Sequence, residues 1–175
     1  MNLVINAVGF QVAWWALVAG VAPGYEGAAL ALSALLAAAH LRYFSPRPKR
    51  ELGLALAAWL LGLGFDSFLQ AGGFITFQGA SLGPLSPFWL WALWALFGLT
   101  LDASMSFLQR RHWSLSAVLG GIFGPLSYLA GAKLGAATLV ATPLNFAALA
   151  LAWAIAMPLL VWLARSTDRV ANPAG

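Results

Sequence analysis

The chain has 175 residues, of which 62% are hydrophobic and only 8% are charged. A soluble domain carries roughly 25% charged residues to cover its surface, so this composition excludes an ordinary water-soluble globule. The absence of cysteine excludes disulfides, thiolate catalysis and cysteine-ligated metal centres. The net charge of +4 comes from residues beside predicted helix ends, where membrane topology accounts for them, and we predict no nucleic-acid partner.

Six apolar segments are long enough to cross a membrane as helices. The first lacks a basic region before it and carries two amide side chains, so we interpret it as a retained helix rather than a signal peptide. The sixth opens with Thr142 as its N-cap and Pro143 at the first helical position. The predicted spans cover residues 2–21, 25–44, 51–72, 88–108, 114–135 and 143–164.

Basic residues occur in three clusters, which follow the second, fourth and sixth spans. Because loops rich in Lys and Arg stay in the cytoplasm, we predict a one-domain, all-α, polytopic integral membrane protein with both termini cytoplasmic. Trp89, Trp91 and Trp94 crowd the outer end of the fourth span, as an interfacial aromatic belt does. The clusters are Arg42, Arg47, Lys49 and Arg50, then Arg110 and Arg111, then Arg165 and Arg169.

The connection over residues 74–87 is rich in Gly, Ser and Pro and carries no charge. An apolar loop in open water is unusual, which favours a re-entrant or surface-lying segment. Irregular backbone at membrane depth is tolerated only where protein buries it or where it lines a cavity. A flexible outer loop is the alternative.

Two aspartates lie inside predicted spans, where a carboxylate costs a few kcal/mol and marks a candidate functional site. At 1.5 Å per residue, Asp66 lies about 20 Å from the cytoplasmic start of its span, and Asp102 about 12 Å from the cytoplasmic end of its own. These depths disfavour a paired-carboxylate dyad. The alternative for each aspartate is a helix-packing role, bonded to a nearby polar side chain: Ser67, Gln70 or Ser106.

The fifth span combines small residues at four-residue spacing with an internal proline. The small residues predict close helix packing, within the chain or with a homo-oligomeric or other membrane-protein partner. Pro125 frees the carbonyl of Gly121, and a bend there would expose polar backbone to a cavity near Tyr128. Lys133, at the outer end, either neutralises Asp66 or extends to the lipid headgroups.

His40 and His112 are the only histidines, and both lie at cytoplasmic ends of spans. They lack HxxxH or HExxH spacing, so we interpret them as polar tips at the interface rather than as a metal or acid–base site with Asp102. No Walker pattern or GxSxG elbow is present, which argues against nucleotide hydrolysis. We predict neither a metal nor an organic cofactor.

Several motifs form a pattern along nearly the whole length: Asn6 and Gln11 with Trp14-Trp15, His40, Leu63–Ser67, Gly124–Gly131 and Leu134–Ala136. In this pattern the chain resembles a bacterial inner-membrane family known as domain of unknown function 2878. Such proteins tend to carry Asn-His where this chain has Asp102-Ala103, which weakens a catalytic role for the fourth span. The resemblance implies a bacterial inner-membrane location and a role in envelope lipid metabolism.

Three functions stay open. The leading hypothesis is an integral inner-membrane protein that supports membrane-lipid or envelope modification, as an enzyme on lipid or as an accessory subunit, with membrane lipids as partners. The second is a small proton-coupled carrier for a lipid or hydrophobic solute, and the third is a structural or assembly protein without an active site. The catalytic candidates are Asp66, Gln70 and Tyr128. The binding candidates are Asn6, Gln11, Asp66, Asp102, Pro125 and Lys133.

Overall fold

Helices make up 77% of the described residues, which confirms the predicted helical class. The fold is known from a computed structural model that describes residues 2–140 and 142–171, with side chains for 3–140 and 142–167, so that Arg169 of the third basic cluster lies outside the described side chains. Five of the described helices are long and apolar enough to cross a membrane, as in a multi-pass membrane protein. The helices are α1 (Asn2–Val21), α2 (Glu26–Ala39), α3 (Pro48–Ala71), α4 (Phe88–Thr100), α5 (Trp113–Lys133) and α6 (Pro143–Ala171).

Helix ends follow local capping chemistry. Thr142 Oγ1 accepts a hydrogen bond from the Asn145 N–H at 3.2 Å, which confirms the predicted N-cap of α6. The third helix begins at Pro48, three residues before the predicted start, because proline suits the first turn of a helix. The second helix continues beyond α2 as a π-helical turn, His40–Phe44.

The fourth predicted span differs most from the structure. The helix α4 has 13 residues, about 20 Å at 1.5 Å per residue, which is shorter than a hydrocarbon core of about 30 Å. A turn and a short 3₁₀-helix, Ser106–Arg110, follow it. The helix ends because the next residues bond to other elements: Ser104 N–H and Oγ–H donate to Asn6 Oδ1, and Asp102 accepts from Arg50. Asp102 therefore lies in a turn and not within a helix.

The connection between α3 and α4 is folded rather than flexible. Its strand β1 (Ile75–Phe77) pairs antiparallel with β2 (Ala137–Leu139), which follows α5. Glu26 Oε2 accepts from a loop amide at 3.0 Å, and Trp89 Nε1 donates to a loop carbonyl at 2.8 Å. The prediction of a flexible outer loop is wrong. Strands of three residues are too short to show a period-two pattern, so the sequence did not reveal this ribbon.

The predicted close packing of small residues is found within the chain. A Cβ atom on Gly120 of α5 would lie 2.4 Å from the Trp153 carbonyl oxygen of α6. A Cβ atom on Gly98 of α4 would lie 2.6 Å from Ala55 Cα and 2.6 Å from the Leu54 carbonyl oxygen of α3. Two helix pairs, α3–α4 and α5–α6, therefore pack backbone against backbone at these glycines.

Substituting Gly98 with alanine tests this packing. We expect the free energy of unfolding to fall by about 1–3 kcal/mol, because the added methyl group meets backbone atoms that cannot rotate away. Gly64→Ala is the matched control, since a Cβ atom there has no neighbour within 4 Å and Gly64 is exposed on α3. Thermal unfolding in detergent should show a lower midpoint for the first variant only. Equal midpoints would contradict the close approach of α3 and α4.

The tryptophans predicted as an outer belt lie mainly inside the protein. Trp89 and Trp94 are buried, with 2% and 4% of their surface exposed. Trp91 is half-buried and donates from Nε1 to Ser86 Oγ at 3.1 Å. The belt interpretation is wrong for Trp89 and Trp94, because each indole N–H finds a protein acceptor instead of interfacial water.

The basic clusters meet at one end of the helix bundle. Arg50, from the first cluster, donates from Nη2 to the carbonyl of Ala164 beside the third. Arg165, from the third cluster, donates from Nη2 to the carbonyls of Leu108 and Arg111, at the second. All three clusters are therefore joined by hydrogen bonds into one polar surface.

Candidate functional site

Asp66 lies at the centre of the bundle and is completely buried. Trp94 Nε1, from α4, donates to its Oδ2 at 2.7 Å, and the Tyr128 hydroxyl, from α5, donates to its Oδ1. The carboxylate thus connects three helices, and each of its oxygens accepts a hydrogen bond. A buried carboxylate needs hydrogen-bond partners, and Asp66 has two. They are not the predicted Ser67 and Gln70.

Two residues predicted near Asp66 are used elsewhere. Gln70 Nε2 donates to the carbonyls of Pro84 and Leu85, at 3.3 and 3.4 Å, and so holds the loop before α4. Lys133 is exposed at the end of α5 and forms no ion pair with any described side chain. The predicted neutralisation of Asp66 by Lys133 is therefore wrong. Extension of Lys133 to the headgroups stays a prediction.

An aromatic cluster surrounds the Asp66 hydrogen bonds. The rings of Trp94 and Trp153 stack with centroids 4.9 Å apart and planes 12° apart. Phe65 packs edge-on against both, and Tyr128 packs against Trp153 with centroids 6.4 Å apart. Offset and edge-to-face pairs of this kind each contribute about 0.5–1.5 kcal/mol beyond their buried area. The cluster forms an aromatic wall beside Asp66.

A cavity of about 560 Å³ lies on the other side of this wall. Its sides are α1 and α5, and α4 and α6 close it behind. We call it the α1–α5 cleft. No charged residue is found among the described residues that line it. Ten of its 23 lining residues are aromatic: Phe10, Trp14, Trp15, Phe77, Trp89, Trp94, Phe97, Phe123, Tyr128 and Trp153.

The cleft opens sideways, where the hydrocarbon of a membrane would lie. Three lining residues at its mouth are more than half exposed: Trp15 by 55%, Phe123 by 62% and Leu126 by 51%. Trp14 Nε1 donates to Ser127 Oγ at 3.2 Å and joins α1 to α5 across it. Along α5 the lining extends over 12 residue steps, about 18 Å, which exceeds the thickness of one hydrocarbon leaflet.

Gln11 and Asn6, both on α1, have different surroundings. Gln11 lines the cleft, is exposed, and makes no hydrogen bond to any described residue. Asn6 is 7% exposed and lies outside the lining. The structure therefore brings Gln11 and Tyr128, but not Asn6, to the cleft. Pro125 is buried in α5 beside the lining residues.

Asn6 belongs to a buried polar network that the sequence did not reveal. Because the Ser104 N–H donates to Asn6 Oδ1, the amide nitrogen of Asn6 faces His40 Nδ1, 3.4 Å away. The proton of the ring is then on Nε2, which lies 2.5 Å from Glu51 Oε2. Ser45 Oγ donates to the other Glu51 oxygen at 2.7 Å. The prediction of His40 as an interfacial tip is wrong, since His40 is 8% exposed and Glu51 is fully buried.

Asp102 binds the arginines of the first basic cluster and does not form a metal or acid–base site with the histidines. Its Oδ1 accepts from Arg50 at 2.6 Å, from Arg47 at 3.0 Å and from Gln109 at 3.3 Å. His112 is exposed and bonds to Ser114. Within the described part of the chain, no group of three His, Asp or Glu side chains is arranged to hold a metal ion.

The missed residues are Glu51 and Trp94. Glu51 follows a run of basic residues and reads as an ordinary first-turn acid, yet it lies where α3 crosses the end of the second helix. Trp94 reads as an interfacial aromatic, although an indole N–H on the helix next to a buried aspartate is a natural donor to it. A comparison of each acid with the donors on neighbouring helices would have suggested Trp94 as a partner of Asp66 and His40 as a partner of Glu51.

Comparison with known proteins adds the family. No curated protein and no solved structure matches the chain. The model of one family, described as protein of unknown function (DUF2878), matches residues 3–159. That match spans most of the chain and confirms the resemblance drawn from its motifs. The chain belongs to this family.

Proposed function

We propose that this protein is an inner-membrane protein that admits the apolar part of a lipid-like molecule into the α1–α5 cleft, and so supports membrane-lipid or envelope modification. The observation that carries the proposal is the cleft itself. It is uncharged, lined by aromatic rings and open between two helices towards the place that lipid tails occupy. Sites for small apolar molecules have this composition, and their volumes are commonly about 300–1,000 Å³.

We further propose that the chain crosses the bacterial inner membrane six times, with both termini in the cytoplasm. The hydrogen bonds that join the three basic clusters at one end of the bundle support this threading. Asp102, two residues after α4, already bonds to Arg47 and Arg50 at that end, so that α4 and the turn after it together make the fourth crossing. Retention of Lys and Arg on the cytoplasmic side then sets the orientation.

The cleft favours lipid binding over the two alternatives. A proton-coupled carrier would expose Asp66 to its transport pathway. Asp66, however, has no exposed surface, and both of its oxygens accept hydrogen bonds. A purely structural protein has no need of a cavity, and helices that pack through glycines elsewhere leave this one open. Tyr128 contributes its ring to the cleft and its hydroxyl to Asp66, so it supports the wall.

Filling the cleft tests the proposal. A Cβ atom on Gly131 has one neighbour within 4 Å, Val18 Cγ1 at 3.8 Å, so the side chain of Gly131→Leu extends into the cleft. We expect this variant to retain co-purified lipid about tenfold less strongly, equivalent to about 1.4 kcal/mol, as measured by native mass spectrometry from mild detergent. Gly64→Leu adds the same side chain on the exposed face of α3 and should bind as the wild type does.

Two outcomes would contradict the proposal. Retention of lipid by Gly131→Leu equal to that of Gly64→Leu would show that the cleft is not the binding site. For the role in lipid or envelope modification, the lipid profile of a deletion strain is decisive. We expect at least one lipid class to change, and an unchanged profile would refute that role.

A further inference from the structure

Gln11 is the only carboxamide among the described residues that line the cleft, and an apolar chain does not explain its presence there. Its side chain lines the cleft and is exposed, and it has no hydrogen-bond partner among the described residues. Gln11 lies about 14 Å along α1 from the first residue of the helix, near the middle of a hydrocarbon core about 30 Å thick. An amide without a hydrogen-bond partner is unfavourable at this depth, so we expect a partner that the protein itself does not supply.

The chemistry of that partner follows from the surroundings of Gln11. A charged group would find no counter-ion, since no described residue in the lining is charged and Asp66 is closed off behind Trp94 and Tyr128. A carboxamide both donates and accepts hydrogen bonds, which suits a hydroxyl group. The ester groups of bulk phospholipids stay near the membrane surface, at the edge of the hydrocarbon core, and do not reach this depth.

We propose that Gln11 binds a hydroxyl group carried within the apolar body of the cleft's ligand, which makes the ligand an uncharged long-chain alcohol rather than a bulk phospholipid. This inference rests on the proposed function, since it concerns the same cleft. The indole N–H groups of Trp15 and Trp153 also line the cleft without a described acceptor, but they can only donate, whereas the carboxamide of Gln11 can both donate to and accept from a hydroxyl group. Gln11 acts as a specificity residue, and the aromatic wall supplies most of the binding.

A second copy of the chain is the competing partner for Gln11. Glutamine side chains in membrane helices can bond between helices, and Gln11 also borders a shallow surface with Ala7, Val8, Val12 and Trp15. The position of Gln11 in the cleft lining favours the ligand, because a second copy seated on the outer face of α1 would leave the cleft itself unfilled.

Octadecan-9-ol and octadecane are suitable probes, because they share a chain and differ only by one hydroxyl group within it. Equilibrium binding of each labelled compound to the detergent-solubilised protein gives a ratio of affinities. We expect Gln11→Leu to lower the preference for the alcohol about fivefold relative to the wild type, the value of one hydrogen bond of about 1 kcal/mol. Gln11→Asn, which keeps the amide, should retain part of the preference, and Gly64→Leu, on the exposed face of α3 outside the cleft, should keep the full preference of the wild type.

The outcomes separate the inference from the function on which it rests. An unchanged alcohol preference in Gln11→Leu, with binding of both compounds still reduced by Gly131→Leu, would overturn the role of Gln11 and leave the cleft as a lipid site. Binding of neither compound to the wild type, or binding insensitive to Gly131→Leu, would overturn both. A wild-type dimer that becomes monomeric in Gln11→Leu, measured by light scattering, would assign Gln11 to a second copy and also overturn the inference.

Discussion

Asp66→Ala is expected to lower the free energy of unfolding by about 3–5 kcal/mol. The substitution leaves the Trp94 N–H and the Tyr128 hydroxyl without an acceptor inside the bundle, and each such buried donor costs about 1–3 kcal/mol. A small void between three helices adds to this loss. Unfolding in mixed micelles, followed by tryptophan fluorescence, measures the effect.

Asp66→Asn separates a structural role from a chemical one. The amide oxygen still accepts from the Trp94 N–H, and the amide NH₂ can donate to the Tyr128 hydroxyl, whose own hydrogen then loses its acceptor. We therefore expect a smaller loss of about 1–3 kcal/mol. Ser67→Ala is the control on the neighbouring position, where the hydroxyl bonds to Ser86 rather than to Asp66. If Asp66→Asn is as stable as the wild type but changes the cellular lipid profile in the way that a deletion does, Asp66 has a chemical role and the structural account is wrong.

The sequence was sufficient for the features that depend on local chemistry. The length of the apolar segments identified the long helices, and the Thr142-Pro143 pair correctly predicted the first residue of α6. The cost of a carboxylate in hydrocarbon correctly indicated that Asp66 must have hydrogen-bond partners. Each of these conclusions needs only one segment of the chain.

The contacts between helices could not be predicted from the sequence. Asp66 sits 28 residues from Trp94 and 62 from Tyr128, and nothing local distinguishes these donors from Ser67 or Gln70. A tryptophan satisfies its N–H equally well at a wet interface or on a buried acceptor. The identity of the residue therefore did not decide between a belt and a core position for Trp94.

Asp102 shows the same limit for a helix boundary. The apolar run of the fourth span continues to Leu108, so hydrophobicity alone predicts a continuous helix. The helix stops at Thr100 because Arg47 and Arg50, more than 50 residues earlier in the chain, bind Asp102 in a turn. The backbone after Thr100 makes turn hydrogen bonds instead, from Ala103 N–H to Thr100 O and from Ser106 N–H to Ala103 O.

The second large effect is expected at the His40–Glu51 pair. His40→Leu removes the ring N–H that lies 2.5 Å from Glu51 Oε2, while the Glu51 carboxylate stays fully buried. Leaving one oxygen of a buried carboxylate without its hydrogen-bond donor costs about 3 kcal/mol, because neither water nor another described side chain replaces that donor. We expect a loss of that size in detergent unfolding experiments.

The double variant His40→Leu/Glu51→Leu should recover most of this loss, because replacing both members of a buried pair by apolar side chains removes the uncompensated charge. A coupling energy of about 1–3 kcal/mol between the two substitutions is the expected result of the double-mutant cycle. Ser114→Ala serves as the control, since its hydroxyl bonds to the exposed His112 and should contribute little. Additive losses at His40 and Glu51 would mean that the pair is not a unit. The network that joins α1, the π-helical turn and α3 would then owe its stability to Asn6 and Ser45 instead.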